Sequence, residues 1–574
     1  MRILFISHSF NSLTQRLFVE LRARGHEVSL ELDIADSVSE EAVALFQPDL
    51  IVAPFLKRAI PASIWQNHVC LVVHPGIIGD RGPSALDWAI INRAPQWGVT
   101  VLQANAEMDA GDIWASVAFP MRGAKKSSLY RNEVTGAAVA AVLHAVDQFG
   151  SGAAPIPLAQ AGPTTGCLRP LLRQTERRID WQQDDCATVL AKINSGDGFP
   201  GVLDDLFDSP CYLYDAHRAS PQALAAAPGV AGAIVARRHD AVLRRTRDGG
   251  LWIGHARLTQ PAEDGDPPFK LPVAACFPSQ HAGLPELPVA AMRSADEWSE
   301  VRYWEHGAVG YLAFDFYNGA MSTAQCERLR AAVLAAKQRP MRVLVLLGGS
   351  DFFSNGIHLN CIEAAAHRPG ASAADESWQN INAMDDLALE ILTATGHLTI
   401  SAMRGNAGAG GAFLALAADL VWAHEGVLLN PHYKNMGNLY GSEYWTYLLP
   451  QRVGAEQARD IMQNRMPLAA ARAVRIGLID AAFGADATVF AEEVAVRAQA
   501  LAAAEDYPDR LAAKREHRLR DEAIKPLQTY RDEELARMRR NFYGFDPSYH
   551  VARYHFVHKM PHAWTPRHLA AHRS

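Results

Sequence analysis

LVVHPGIIGDRGPSALDWAI, residues 71–90, decides the fold of the front of the chain. An apolar run ends on His74, Pro75-Gly76 breaks it, and a helical pattern resumes after Pro83. That order is strand, loop, helix, with an imidazole on the loop at the strand's carboxyl end. Working toward the N-terminus, Met1–Ser7, Val28–Leu32, Leu50–Phe55 and Val69–His74 have the pattern of buried strands, and Leu13–Arg24 that of a helix closed by Gly25. Such alternation predicts an α/β domain with a doubly wound parallel sheet. Ligands of these sheets bind beyond the carboxyl ends of the strands, where His74 falls. No GxGxxG follows the first strand, so a dinucleotide site has no support.

Working toward the C-terminus, SGAAPIPLAQAGPTT at 151–165 has linker composition. Ala233–Arg237, Ala241–Arg245 and Leu251–Ala256 are short β-like runs that fit a small barrel or half-barrel, and Pro-rich stretches over 261–288 mark a boundary. From about 300 the α/β alternation returns with Tyr311–Phe316, Val343–Leu347 and Ala-rich helices. Beyond 505 the chain is charged and helical, a docking helix pair. The expected division is 1–160, 161–290, 291–505 and a helical extension over 506–574.

The 574 residues are 49% apolar and 20% charged, which excludes wholesale disorder. A net charge of −7 argues against a globally basic nucleic-acid binder. Seven widely spaced cysteines without a CxxC argue against a disulfide framework or structural zinc. No signal segment opens the sequence and no apolar run reaches about 18 residues, so a cytoplasmic protein is expected, with no membrane partner. His550, His555, His558 and His562 in the tail lack an acidic or thiol partner in sequence, and no metal site is expected.

A second segment, GVTVLQANAEMDAGDIWAS at 98–116, supplies an acid, Asp112, that could share the His74 crevice. A carboxylate beside an imidazole fixes its tautomer and raises its basicity. On the spacing alone, a loop His and a turn Asp with no shared role is the weightier reading. Both segments resemble the folate-dependent formyltransferases. That family has N-V-H-x-S-L-L-P-x-x-R-G followed by G-V-T and D-x-G-D-I, and LRPLLRQTERRIDW at 168–181 resembles its post-domain stretch. The resemblance implies His74 and Asp112 as catalytic residues, Val72, Arg81 and Gly82 as substrate-binding positions, and 10-formyltetrahydrofolate as formyl donor. The family's Asn falls on Val72, which cannot hold an oxyanion. Losing one such donor costs about 10²–10³ in rate. Either another donor replaces it or the acceptor is not an ordinary amine; a thiol, far easier to deprotonate than an alcohol, is then a reasonable candidate.

GGSDFFSNGIHLN at 348–360 and GNAGAGGAFLALAAD at 405–419 are Gly-rich turns, the second entering an apolar helix. Two such turns converging can form an oxyanion hole from main-chain N–H groups; tight helix packing is the other reading. Both resemble the crotonase (enoyl-CoA hydratase/isomerase) family. That implies coenzyme A across the site and the backbone N–H groups of Ile357 and Gly410 as thioester donors. The family's two glutamates fall on Phe413 and on Tyr433, or His432 with one gap, so enoyl-CoA hydration looks disabled. NPHYKNMGNLYGSEYW at 430–445 is polar, and Tyr433, Glu443, His432 and Tyr440 are candidates there, the first two for catalysis.

The pairing of these modules resembles the HoxX/HypX family of hydrogenase maturation proteins. The resemblance implies formyl transfer from 10-formyltetrahydrofolate to CoA, then splitting of formyl-CoA to carbon monoxide and CoA for a NiFe hydrogenase. It also implies the hydrogenase large subunit or its maturation complex as partner. The pantetheine arm spans about 20 Å, so one thiol could serve both sites through an enclosed passage. The rivals are a formyltransferase or deformylase with a CoA-binding regulatory domain, and a non-catalytic hydrogenase-binding scaffold.

Overall fold

The computed structural model describes residues 1–162, 164–260, 267–288 and 297–573. The boundary expected at 290/291 lies outside them. The chain divides into two compact units: Met1–Thr259 with Pro272–Pro285 and Pro561–Ser574, and Gln260–Leu271 with Glu286–Met560.

The first unit opens with six strands: β1 (Arg2–Ser7), β2 (Glu27–Leu32), β3 (Leu50–Ala53), β4 (Cys70–His74), β5 (Gln96–Gln103) and β6 (Ile113–Pro120). Their order is β2-β1-β3-β4-β5-β6. β1 is buried at every position but its first and apolar from Ile3 to Ile6, as a strand covered on both faces must be. The helix Ser12–Ala23 is capped by the Asn11 side chain, which accepts from the Thr14 N–H, and Gly25 supplies φ +86° for the turn after it. β1 to β4 are parallel. The wholly parallel reading is corrected at β5, which runs antiparallel to β4 and β6. Only residues 104–112 join β5 to β6, enough for a hairpin and too few for a crossover.

A second sheet follows, antiparallel in the order Val202–Leu206, Ser209–Arg218, Gly250–Leu258, Ala241–Arg245, Ile234–Arg238. Among the described residues its path runs open, a half-barrel rather than a closed one. It packs Val202, Leu213 and Ile253 against Val189 and Ile193 of the helix Cys186–Gly196.

The second unit repeats one device. Each of the long parallel strands Val343–Leu347, Leu398–Met403 and Leu420–Ala423 is followed directly by a short one: Phe352–Ser354, Asn406–Gly408 and Leu428–Asn430. The long strands form one sheet, preceded by the hairpin Val301–His306/Val309–Phe314; the short ones form another. The core between them holds Leu344, Leu346, Met384, Leu387, Met403 and Leu414.

The tail holds three helices rather than the expected pair: Tyr507–Ile524, Leu527–Tyr543 and Ser548–Val557. Leu527, Leu535, Met538 and Phe542 of the middle one are buried in the same core cluster as Met384 and Leu387 of the helix Ala373–Leu392. The last residues return to the first unit and cover β2, the edge of its sheet. Leu30 N–H donates to Leu569 O (2.9 Å) and Leu32 N–H to Thr565 Oγ1 (2.8 Å). Between them, fully buried Glu31 takes His572 Nε2 and Arg573 Nε, each at 2.8 Å, and the Thr565 hydroxyl. These partners hold its carboxyl below the usual range against the opposing effect of burial. No described helix is long and apolar enough to cross a membrane. Removing one partner of a buried acceptor costs about 1–3 kcal/mol; His572→Ala should destabilise the first unit by that amount, read from its urea midpoint.

Candidate active sites

In the first unit His74 ends β4 and is 4% exposed. Its Nε2 lies 3.1 Å from Asp80 Oδ2 and its Nδ1 3.5 Å from Asp109 Oδ1. Both ring nitrogens therefore face carboxylates. The loop after His74 is tied down by Trp97 Nε1 donating to Pro75 O and Thr100 Oγ1 donating to Gly76 O, both at 2.9 Å. Gly76 is required, because a side chain there would collide with the His74 ring.

The acid at the imidazole is Asp109, where the sequence reading expected Asp112. Asp109 has φ +56° in the turn Asp109-Ala110-Gly111, and its Oδ2 accepts the Gly82 N–H at 3.2 Å. Gly111 presses so closely on Gln103 O that no Cβ fits, which turns the preceding acid inward. Asp112 is exposed; its backbone carbonyl accepts the Gln103 N–H at 2.8 Å as β6 begins. The legible signal was the D-x-G turn, since Asp tolerates the left-handed region a tight turn demands. Arg81 pairs with Glu107, while Gly82 (φ +115°) both holds Asp109 and packs on Arg169 O. Val72 lies two residues before His74 on the same strand face and packs on apolar neighbours.

In the second unit the helix Gly410–Leu416 begins after Ala409, which has φ +47°. Among the described residues, neither the Gly410 N–H nor the Ile357 N–H has an acceptor. Gly356 backs directly onto the Gly410 amide nitrogen. Against Gly410 lies Glu443, fully buried. Its Oε2 accepts the Tyr433 hydroxyl, which also lies 3.0 Å from Ser442 O. Its Oε1 is buried without a hydrogen-bond partner and sits where a Gly410 side chain would be. Burial, then the charge of Asp385, pushes the Glu443 carboxyl well above the carboxylate range. Burial, then the charge of Glu443, pushes the Tyr433 phenol upward as well. Phe413 stacks on the Tyr433 ring at 5.5 Å and 15°.

Two further buried carboxylates bear on this site, and sequence reasoning missed both. Asp385 accepts Ser442 Oγ and Glu443 N–H at 2.8 Å, and burial raises its carboxyl to about 6. Glu534 accepts Tyr444 N–H at 2.9 Å and Thr446 N–H at 2.8 Å, and burial raises it to about 8. The other expected residues stand apart. Tyr440 is half-buried against Trp445, its ring centroid 5.3 Å away, and buried His432 donates its backbone N–H to Asn430 O at 2.8 Å.

Of His550, His555, His558 and His562, His558 does meet an acid. His558 Nε2 is 3.3 Å from Glu363 Oε1, with His367 Nε2 at 3.8 Å, and Arg553 Nε takes Glu363 Oε2 at 2.6 Å. Pairs 190 residues apart leave no spacing signal in sequence. With its one carboxylate already balanced by a guanidinium, this trio serves as a buried ion-pair network joining the tail to the helix Leu359–Ala366.

Three families match in register with this geometry: formyl transferase over residues 10–146, formyl transferase C-terminal domain over 171–264, and enoyl-CoA hydratase/isomerase over 315–566. The hydrogenase maturation factor HoxX of Bradyrhizobium diazoefficiens is 56% identical across all of this chain and 97% of its own length. The chain belongs to the HoxX/HypX family of hydrogenase maturation factors. The crystal structure of HypX from Aquifex aeolicus in complex with tetrahydrofolic acid covers 100% of this chain and 99% of its own, at 46% identity and a TM-score of 0.94. A methionyl-tRNA formyltransferase of Dichelobacter nodosus is 26% identical over 34% of this chain and 63% of its own length. One chain thus joins formyl transferase domains to a crotonase-fold domain.

Two outcomes follow. If Asp109 is the acid that orients His74, Asp109→Asn lowers tetrahydrofolate release by about 10²–10⁴-fold and Asp112→Asn lowers it far less; steady-state assays of the pair decide. Because the folded state keeps on Glu534 a proton that the unfolded chain loses above about 4.5, stability of the second unit falls as pH rises from there to about 8. Calorimetry across that window should show the slope, and Glu534→Gln should reduce it.

Proposed function

We propose that the first unit transfers a formyl group from 10-formyltetrahydrofolate to coenzyme A, and that the second splits formyl-CoA into carbon monoxide and CoA. The gas supplies the NiFe centre of a hydrogenase, whose large subunit or maturation complex is the partner, in the cytoplasm. The four-module division of the chain belongs to the same reading. In the first step His74, oriented by Asp109, accepts the thiol proton as sulfur attacks the formyl carbon, and tetrahydrofolate leaves. A thiol acceptor fits a site whose Val72 offers no oxyanion donor.

One observation carries the second step: the buried Glu443 Oε1, without a hydrogen-bond partner among the described residues and packed against Gly410, with Tyr433 on the other carboxyl oxygen. The Gly410 and Ile357 amides would hold the formyl oxygen of the thioester. The Tyr433–Glu443 pair takes the formyl proton, the C–H electron pair stays on carbon as CO, and the C–S pair leaves with sulfur. The pair returns a proton to give CoA, so atoms and electrons balance with no oxidant. Phe413 and Tyr433, standing where a hydratase has its glutamates, remove the groups that would activate water, and burial keeps water from hydrolysing the thioester.

The assay mixes protein, CoA and 10-formyltetrahydrofolate with deoxyhaemoglobin and reads the CO spectrum alongside tetrahydrofolate. Both signals are expected. Folate release without CO would leave a plain formyltransferase; neither would leave a scaffold. His74→Ala should lose CO from the folate donor and keep it from synthetic formyl-CoA. Tyr433→Phe and Glu443→Gln should each cut CO release from formyl-CoA by about 10²-fold or more.

A further inference from the structure

The segment bearing Glu443 does not hold its own shape. Glu443 and Tyr444 have φ +60° and +61°, two consecutive residues in a region that costs L side chains energy. What fixes them comes from the tail helix Leu527–Tyr543. Glu534, Met538 and Asn541 are spaced i, i+4, i+7 and so share one face of that helix. Each accepts main-chain N–H groups from the segment, in antiparallel order. Asn541 Oδ1 takes Tyr440 N–H at 3.1 Å, Met538 Sδ takes Gly441 N–H at 3.1 Å, and Glu534 takes Tyr444 and Thr446 N–H and the Thr446 hydroxyl. Asp385, on the helix Ala373–Leu392, takes Ser442 Oγ and Glu443 N–H from another side. Glu534 and Asp385 are both fully buried. The turn is thus templated by the tail helix on one side and by Asp385 of the helix Ala373–Leu392 on another.

We propose that the tail helix Leu527–Tyr543 is part of the rear active site, with Glu534 and Asp385 as positioning residues that set the Glu443 carboxyl against the Gly410 amide. Neither touches the reacting atoms; each acts through the backbone of 442–446. A glutamine at 534 keeps the shape but puts an NH2 group where one of the two accepting oxygens stands, so it breaks one arm of the clamp. The inference rests on the decarbonylating reading above and deepens it.

The test is CO release from synthetic formyl-CoA by the full-length protein, with tetrahydrofolate release from the folate donor measured in the same preparation. Misplacing a catalytic group by about 1 Å costs about 10²-fold. Glu534→Gln should therefore lower kcat for CO by about 10–10²-fold with KM for formyl-CoA unchanged and tetrahydrofolate release intact. Asp385→Asn should do the same, and Glu534→Ala should fall further. Wild-type kcat in Glu534→Gln overturns the inference, and so does a loss shared by KM or by folate release, which marks a merely structural role. Absence of CO from the unaltered protein strikes the reading beneath and takes the inference with it.

Discussion

Burying carboxyl groups beside one another is expensive, and the rear half of the molecule is organised around doing so. Asp385, Glu443 and Glu534 are fully buried; Asp385 raises the proton affinity of both glutamates, and Glu534 raises that of Glu443. Two of them are compensated by main-chain N–H groups, a serine hydroxyl, a threonine hydroxyl and, 3.7 Å from Asp385, the Arg531 guanidinium. The third keeps one oxygen unmatched. Such an atom is costly in a folded protein and persists where a ligand completes it. The compensated pair makes the uncompensated one tolerable, because the backbone that carries Glu443 has nowhere else to go.

The front half follows the same logic with an imidazole in place of a third acid. His74 sits between Asp80 and Asp109, and the glycines at 76, 82 and 111 are there to let backbone and ring approach so closely. In both units the strained or crowded backbone lies at the proposed chemistry. Ala409, Glu443 and Tyr444 adopt positive φ beside the oxyanion amides, and Asp109 does so beside His74. Local rules broken at such positions are a mark of function.

Much of this was legible in the order of residues. Apolar runs placed β1 to β4, and glycine patterns placed both candidate sites. Tyr433 and Glu443 were candidates because the segment 430–445 is polar, and the structure brings them together. The acid was misplaced by three positions because Asp109 and Asp112 share one motif and only the packing of Gly111 on Gln103 tells them apart. β5 was misread because periodicity carries no strand direction. Glu534 was hidden for a different reason. It sits in a charged helical stretch that resembles a solvated face, and 90 residues separate it from the backbone it holds.

The return of the chain's end to β2 has a consequence for biosynthesis. Ser29 and His572, 543 residues apart, meet at the rim of the first sheet, so that rim stays bare on the ribosome while everything between is translated. The amino-terminal domain can collapse early but cannot seal its edge until residues 565–573 have emerged. A product truncated before Thr565 would carry an open β edge, a template for pairing with another chain.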